Sequence, residues 1–139
     1  MKTLVTGGAG FIGSHLVDAL TGRGDEVVVV DDLSSGKLEN LESGMAAGAR
    51  LVEGDIRDTA FIESTLEAER PSTVFHLAAQ SEVRRSIEQP TLDATVNVVG
   101  SVNLIEASQK IGLDRFVFAS TGGAVYGEGE RIDLPAAES

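Results

Sequence analysis

The stretch Thr6-Gly7-Gly8-Ala9-Gly10-Phe11-Ile12-Gly13 directly follows a short apolar run and precedes a segment with helical periodicity. Its glycines fit two related spacings, G-x-G-x-x-G through Gly8, Gly10 and Gly13 and G-x-x-G-x-x-G through Gly7, Gly10 and Gly13. A backbone without side chains lets a diphosphate lie against the first turn of a helix, where free N–H groups point outward. The stretch predicts a dinucleotide-binding turn between a strand and a helix, and a glycine-rich turn without a ligand is the alternative.

Acidic residues follow at the distance that such a turn requires. Asp31 and Asp32 close the next apolar run, which covers residues 26–30. This is about 20 residues beyond the glycines, where a carboxylate meets the hydroxyl groups of a ribose. The same carboxylate repels a 2′-phosphate, so Asp31 favours NAD over NADP as the cofactor.

Short apolar runs alternate with helical segments, which is typical of a parallel sheet covered by helices on both faces. We predict strands, all rich in Val, Ile, Leu or Phe, at residues 3–6, 26–31, 50–53, 73–77 and 115–119. Right-handed crossovers then predict a Rossmann-type doubly wound α/β sheet with the strand order 3-2-1-4-5. Ligands of such a sheet lie beyond the carboxyl ends of the strands, at the switch point between strands one and four.

Helical periodicity and capping residues indicate the helices. The first is predicted to begin at Phe11, and the second begins after Asp58, a suitable N-cap. A longer helix is predicted from Pro90 to Gly112. Apolar residues recur in it at helical spacing, namely Leu92, Val96, Val99, Val102 and Ile105. Residues 34–49 have no clear period and predict a loop with a short helix.

Composition and charge limit the classes of partner. The 139 residues fit one domain, and 22 acidic against 11 basic residues give a net charge of −11. Such a charge disfavours nucleic acid as a partner. With two separated histidines and no cysteine, neither a disulfide nor a transition-metal site is expected. No apolar run is long enough to cross a membrane, so we expect a cytoplasmic protein without a membrane partner.

Five segments occur in an informative order: TGGAGFIG at 6–13, DDLSSG at 31–36, GDIRD at 54–58, HLAAQ at 76–80 and STGGAVYG at 120–127. Together they resemble the extended short-chain dehydrogenase/reductase family, and within it the NAD-dependent epimerases and dehydratases grouped around UDP-glucose 4-epimerase. The resemblance covers essentially the whole chain but only the first half or less of such an enzyme. We therefore expect residues 1–139 to be the N-terminal, NAD-binding part of a longer nucleotide-sugar epimerase.

The resemblance implies cofactor contacts at the strand ends. Asp31 would hold the adenosine ribose, Asp55 and Ile56 would flank the adenine, and Asn97 would support the nicotinamide half. The remaining implied contacts are Gly7, Gly10, Phe11, Ile12 and Gly13 at the diphosphate, Asp32, Leu33, Ser35 and Gly36 at the adenosine end, and Leu77, Ala78, Ala79 and Gln80 at the nicotinamide half. The family more often has asparagine at the position of Asp32.

Several of these residues, and their neighbours, have a purely structural alternative. Asp55 can cap a turn, and Asn97 can be a helix residue that is hydrogen-bonded locally. His76 lies inside an apolar strand and is expected to be a hydrogen-bonded core residue rather than a base. The arginines at positions 84 and 85 either reach a substrate phosphate or lie in solvent.

Oxidation of a sugar hydroxyl needs a group that removes its proton while hydride leaves for the nicotinamide. In the family this group is a Tyr-x-x-x-Lys pair, whereas the only tyrosine here, Tyr126, is followed four residues later by Glu130. Counted from the preceding strand, Thr121 falls at the family's Ser/Thr that hydrogen-bonds the reacting oxygen of the sugar. Counted from Tyr126, Ser120 is the alternative.

The positions after Thr121 distinguish relatives within the family. Dehydratases carry acidic residues there, and Gly122 and Gly123 stand in their place. The resemblance thus favours UDP-glucose/UDP-galactose interconversion through a 4-keto sugar, with negligible turnover by residues 1–139 alone. A stand-alone dinucleotide sensor, and another nucleotide-sugar epimerase or reductase, are the alternatives. Because relatives commonly pair through helices of this domain, the helix after Pro90 is a candidate homodimer surface.

Overall fold

The computed structural model of the protein describes residues 1–121. Its strands are β1 (Lys2–Thr6), β2 (Glu26–Asp31), β3 (Arg50–Glu53), β4 (Thr73–His76) and β5 (Arg115–Phe118). They form one parallel sheet with the strand order β3-β2-β1-β4-β5, as predicted. β1 pairs with both β2 and β4, so the switch point of the doubly wound sheet lies between β1 and β4. The positions singled out at Gly122, Gly123, Tyr126 and Glu130 lie outside the described residues.

Helices connect the strands on both faces of the sheet. They are α1 (Phe11–Gly22), α2 (Glu42–Ala46), α3 (Thr59–Glu69), α4 (Val83–Glu88), α5 (Pro90–Ala94) and α6 (Ser101–Ile111). A 3-10 turn at Leu38–Leu41 precedes α2, which confirms the predicted loop with a short helix. The helix α4 was not predicted from the sequence. Within residues 1–121, no helix has both the length and the apolar character that crossing a membrane requires.

The ends of the helices follow from local hydrogen bonds and backbone conformation. Asp58 is the predicted N-cap of α3, and its Oδ1 accepts a hydrogen bond from the Phe61 N–H at 3.0 Å. At the other end of the chain, α6 stops where Gly112 adopts a left-handed conformation with φ of 68°. Glycine takes this conformation without steric cost, so it ends the helix cleanly.

The long helix predicted from Pro90 to Gly112 is divided by a π-type turn at Thr95–Gly100. Because such a turn takes up an extra residue, it changes which residues the following helix presents to the sheet. The apolar residues Val99, Val102 and Ile105 are 46 %, 46 % and 40 % exposed. Gly100 and Leu104 pack inward instead, and a Cβ on Gly100 would lie 2.6 Å from Ile56 Cδ1. The apolar spacing predicted the helix but not its buried face.

Two apolar layers hold the helices against the sheet. One layer packs around α3 and α6 and includes Leu4, Val28, Val30, Ile62, Leu66, Val74 and Leu104. The other packs around α1 and α2 and includes Val5, Val17, Leu20, Val27, Val29 and Leu41. Successive residues of β2 alternate between the layers, which explains why its apolar run is continuous. Burial on both faces makes the sheet a fixed support for the loops at its carboxyl edge.

Candidate dinucleotide-binding site

The glycine-rich turn between β1 and α1 is built by close backbone contacts. Gly7 has a φ of +69°, and a Cβ there would lie 2.6 Å from the backbone nitrogen of Ala78, just beyond β4. A Cβ on Gly13 would overlap the Gly7 carbonyl oxygen. Glycine at both positions is therefore required by the fold, because it lets α1 and the loop after β4 approach the turn.

Gly10 differs from these two glycines because the fold does not require it. Its φ of −74° and ψ of 173° suit any residue. A Cβ there would contact only the Gly7 carbonyl oxygen, at 3.2 Å, and would otherwise meet open space. The backbone next to this space is the first turn of α1. Within residues 1–121, no acceptor satisfies the N–H groups of Phe11 and Ile12. Such a cradle fits an anionic diphosphate.

The Asp31 carboxylate joins the end of β2 to this turn. It is buried, with 7 % of the residue exposed. Its Oδ2 accepts a hydrogen bond from the Ala9 N–H at 2.9 Å, and its Oδ1 accepts one from the Leu33 N–H at 2.9 Å. Each carboxylate oxygen has about two acceptor sites, so one on each remains for a ligand. A hydroxyl pair can use these sites, whereas a phosphate cannot donate to them.

The loop after β2 closes around Ala9. A Cβ on Gly36 would lie 2.8 Å from the Ala9 Cβ. The Asn40 side chain donates to the Ala9 carbonyl at 2.8 Å, and the Lys37 N–H donates to the same oxygen at 3.1 Å. Asn40 therefore supports the glycine turn, and the sequence offered no signal for this role because the segment lacks a period. On the outer side of the loop, the exposed residues include Asp32 and Ser35.

Asp55 and Ile56 lie beyond β3, on the adenosine side of the predicted site. The Asp55 Oδ1 accepts a hydrogen bond from the Arg57 N–H at 2.8 Å. Asp55 therefore caps a turn, which is the structural role considered for it above. The Arg57 guanidinium also contacts this carboxylate, and that hydrogen bond is the main cause of a lowered Asp55 pKa. A shallow depression of about 540 Å³ adjoins the pair and is lined by Asp55, Arg57, Asp58, Thr95 and Val99. Ile56 is buried, so only its backbone is available to a ligand.

Asn97 and Gln80 connect the helix layer to the loop after β4. The Gln80 N–H donates to Asn97 Oδ1 at 2.8 Å, and Asn97 Nδ2 donates to the Gln80 carbonyl at 2.9 Å. Asn97 Nδ2 also lies 3.2 Å from Asp93 Oδ1. Asn97 is therefore hydrogen-bonded both locally, to Asp93 one turn back, and across to the loop after β4, at Gln80. The predicted residues Leu77, Ala78 and Ala79 connect β4 to Gln80, where these hydrogen bonds with Asn97 are made.

His76 is a hydrogen-bonded core residue, as predicted. It is 2 % exposed, and its Nδ1 lies 2.7 Å from Thr6 Oγ1 and its Nε2 2.9 Å from Ser101 Oγ. Burial lowers the pKa of the imidazole to about 4. The side chain is therefore neutral at pH 7 and is not a base that faces a ligand.

Thr121 lies three residues beyond the end of β5 and is exposed. The Ala119 N–H still donates to the His76 carbonyl at 3.1 Å, so the chain follows β4 to its end. Thr121 thus emerges at the same carboxyl edge as the glycine turn. Arg84 is exposed and pairs with Glu88 at 2.9 Å, which agrees with the surface alternative for that arginine.

Known proteins are similar to this chain in sequence and in fold. The model of the NAD dependent epimerase/dehydratase family matches residues 3–139. A UDP-glucose 4-epimerase of Mycolicibacterium smegmatis is 52 % identical over 128 residues, which cover 91 % of this chain and 41 % of that protein. A putative UDP-glucose 4-epimerase of Methanocaldococcus jannaschii is 44 % identical over 125 residues, which cover 90 % of this chain and 39 % of that protein.

Solved structures of two further UDP-glucose 4-epimerases are also similar to this chain. The UDP-glucose 4-epimerase of Thermotoga maritima with UDP-glucose has a TM-score of 0.85 and 52 % identity, covering 92 % of this chain and 40 % of that one. The UDP-glucose 4-epimerase of Thermus thermophilus in complex with NAD has a TM-score of 0.87 and 47 % identity, covering 99 % of this chain and 42 % of that one. The chain therefore spans about two fifths of the length of these relatives.

The buried imidazole of His76 predicts a pH dependence of stability. Its pKa falls from 6.5 in the unfolded chain to about 4 in the fold. The unfolded chain therefore binds the extra proton between these values, and stability is fully present above pH 6.5 and declines as the pH falls towards 4. By pH 4.5 this loss should reach about 2 kcal/mol.

Urea unfolding of the wild type and of His76→Gln at pH 7 and pH 4.5 measures this loss. The glutamine does not titrate, so the difference in unfolding free energy between the two proteins should shift in its favour at the lower pH. Ion pairs also lower the pKa values of Asp25, Asp55 and Glu69. Their contribution to the unfolding free energy decreases at low pH in both proteins, so it cancels in the difference. A difference that does not change with pH would contradict the buried neutral state.

Proposed function

The chain belongs to the NAD dependent epimerase/dehydratase family, and from this membership we propose that it binds NAD at the carboxyl edge of its sheet, as the cofactor-binding part of a UDP-sugar 4-epimerase. The observation that carries the proposal is the cradle at Gly10: the next N–H groups have no acceptor within residues 1–121, and the Asp31 carboxylate is hydrogen-bonded to the same turn at Ala9. A diphosphate and a ribose diol are the two groups that this pair of features accommodates.

The diphosphate lies over Gly10 in this proposal. The N–H groups of Phe11 and Ile12 donate to it, and the positive end of the α1 dipole favours its charge. Gly7 and Gly13 shape the turn by their own close contacts, and Gly10 leaves the approach open. No lysine or arginine is needed, which agrees with the acidic composition of the chain.

The adenosine extends from there over β2 and β3. The free acceptor sites of Asp31 receive the ribose hydroxyl groups, and the loop through Asp32, Leu33, Ser35 and Gly36 lies alongside. Asp55 and the backbone of Ile56 flank the adenine. The Arg57 guanidinium is already engaged by Asp55 at 2.8 Å, so it offers little to a 2′-phosphate. These features support NAD over NADP.

The nicotinamide half extends to the other side of the switch point, over β4. The residues Leu77, Ala78, Ala79 and Gln80 line it, and Asn97 holds the Gln80 backbone through two hydrogen bonds of 2.8 and 2.9 Å. When bound there, NAD⁺ supplies the hydride acceptor and donor for a sugar carbon. Thr121 emerges beside this half and is proposed to hydrogen-bond the reacting oxygen of the sugar.

The UDP-sugar and the 4-epimerase reaction are proposed from the relatives. The proteins of M. smegmatis and T. maritima are both named as UDP-glucose 4-epimerases, and each is 52 % identical to this chain.

We also propose that the protein forms a homodimer through the exposed apolar stripe at Val98, Val99, Val102 and Ile105. A molar mass of one chain by light scattering would contradict that pairing.

Calorimetric titration of Gly10→Ala with NAD⁺ tests the cofactor site. The substitution should leave the stability within about 1 kcal/mol, because alanine suits this backbone and meets almost nothing. It should weaken NAD⁺ binding by at least about tenfold, because the methyl group occupies the space of the diphosphate. Gly22→Ala is the matched control, since it changes α1 at a position with no atom within 4 Å and should bind as the wild type does.

Two results of this titration would count against the proposal. Equal NAD⁺ affinity of Gly10→Ala and Gly22→Ala would contradict a diphosphate over Gly10. Equal affinity of the wild type for NAD⁺ and NADP⁺ would contradict the proposed contact of Asp31 with the ribose.

A chimaera tests the proposed reaction. Residues of this chain replace the aligned 128 residues of the M. smegmatis relative. The chimaera should interconvert UDP-galactose and UDP-glucose, and the same chimaera with Gly10→Ala should be at least about tenfold less active. A folded chimaera with no activity, beside an active unaltered relative, would argue against the epimerase assignment.

A further inference from the structure

A run of buried hydrogen bonds lies beneath the nicotinamide side of the proposed site. It joins the last residue of β1, Thr6, to the last residue of β4, His76, at 2.7 Å. His76 then contacts Ser101 at the start of α6 at 2.9 Å, and the Ser101 hydroxyl donates to the Asn97 carbonyl at 2.8 Å. The side chains of Thr6, His76 and Ser101 belong to buried residues, so water does not compete for these bonds.

The Asn97 carbonyl at the end of this run fixes which group donates in each of its hydrogen bonds. A carbonyl only accepts, so the Ser101 hydroxyl uses its hydrogen on Asn97 and must accept from His76 Nε2. His76 therefore carries its hydrogen on Nε2, and its Nδ1 accepts from the Thr6 hydroxyl. Thr6 Oγ1 in turn accepts from the N–H groups of Leu77 and Ala78, each at 3.3 Å. All donors and acceptors agree with a neutral imidazole.

Asn97 is therefore held at its main chain while its side chain holds Gln80. It lies in the π-type turn Thr95–Gly100, and such turns are rare and occur frequently at functional sites. One bridge runs from the Asn97 carbonyl through Ser101 and His76 to the end of β4. The second runs from the Asn97 amide to the Gln80 backbone, four residues further along the same strand and loop.

We propose that His76 and Ser101 are positioning residues for the nicotinamide half of the cofactor: their hydrogen bonds set the main chain of Asn97, and Asn97 sets the backbone of Gln80. The inference rests on the proposed NAD site. It assigns no contact with the cofactor to His76 or Ser101, since both are buried. Their effect reaches only the half of the dinucleotide that lies over β4.

Ser101→Ala tests the proposal, and Ser108→Ala is its matched control. Ser108 lies on the same helix, is 4 % exposed, and has no hydrogen-bond partner for its Oγ among the described residues. Calorimetry with NAD⁺ and with ADP-ribose, which lacks the nicotinamide, separates the two halves. Ser101→Ala should weaken NAD⁺ binding by about tenfold and change ADP-ribose binding by less than about twofold. Ser108→Ala should change neither.

A second measurement needs no ligand. Hydrogen exchange of the Gln80 amide, whose N–H donates to Asn97, should be at least about tenfold faster in Ser101→Ala than in Ser108→Ala. Thr6→Val, a nearly isosteric change at the other end of the run, should give the same pattern in both measurements. It replaces Ser101→Ala if that variant does not fold.

Equal NAD⁺ affinity of Ser101→Ala and Ser108→Ala would overturn the proposal. So would an equal loss of NAD⁺ and ADP-ribose binding, which indicates general destabilisation rather than positioning of one half. If the wild type binds neither ligand, the proposed function fails instead. The role at the nicotinamide half then fails with it, and the exchange rate of the Gln80 amide tests the remaining part, the link from Ser101 to Gln80, which a rate equal in the two variants overturns.

Discussion

The hydrogen bond between the Ala9 N–H and the Asp31 carboxylate, at 2.9 Å, is the contact on which the site depends. It joins the end of β2 to the turn after β1. The distance between the open space at Gly10, proposed for the diphosphate, and the Asp31 carboxylate, proposed for the ribose hydroxyl groups, is thereby fixed. Removing the carboxylate would leave the buried N–H of Ala9 and the partly buried N–H of Leu33 without their partner, at a cost of about 1–3 kcal/mol for the buried one. Within residues 1–121 the backbone uses one acceptor site on each carboxylate oxygen, which leaves one on each.

The sheet supports this contact from below. The residues of β2 between Glu26 and Asp31 are buried on alternating faces, so the strand end cannot shift without opening an apolar layer. On the other side, the backbone of Gly7 packs directly on the backbone of Ala78, and any side chain at position 7 would separate them. The glycine turn is therefore held between the loops after β2 and β4, which is the place where the switch point of the sheet puts a ligand.

The sheet and much of the site could be predicted because their signals are local. Buried strands are apolar runs, the N-cap Asp58 precedes α3, and the glycine spacing lies within eight residues. The features that were missed depend on distant partners. Asn40 contacts Ala9 across 31 residues, and Gly100 is small because Ile56 packs against it. His76 was predicted to be satisfied in the core, but its partner Thr6 lies 70 residues away and no spacing indicates it.

The site functions as proposed only if one dinucleotide lies across the carboxyl edge, with its diphosphate on the first turn of α1. An NMR titration of the ¹⁵N-labelled chain with NAD⁺ tests this placement. We expect amide shift changes at Phe11, Ile12 and Leu33 and at Gln80, on both sides of the switch point. Gly24 and Gly48, which precede β2 and β3 at the opposite edge, should not change. Unchanged amides at Phe11 and Ile12, or changes centred on the opposite edge, would contradict this placement of the dinucleotide.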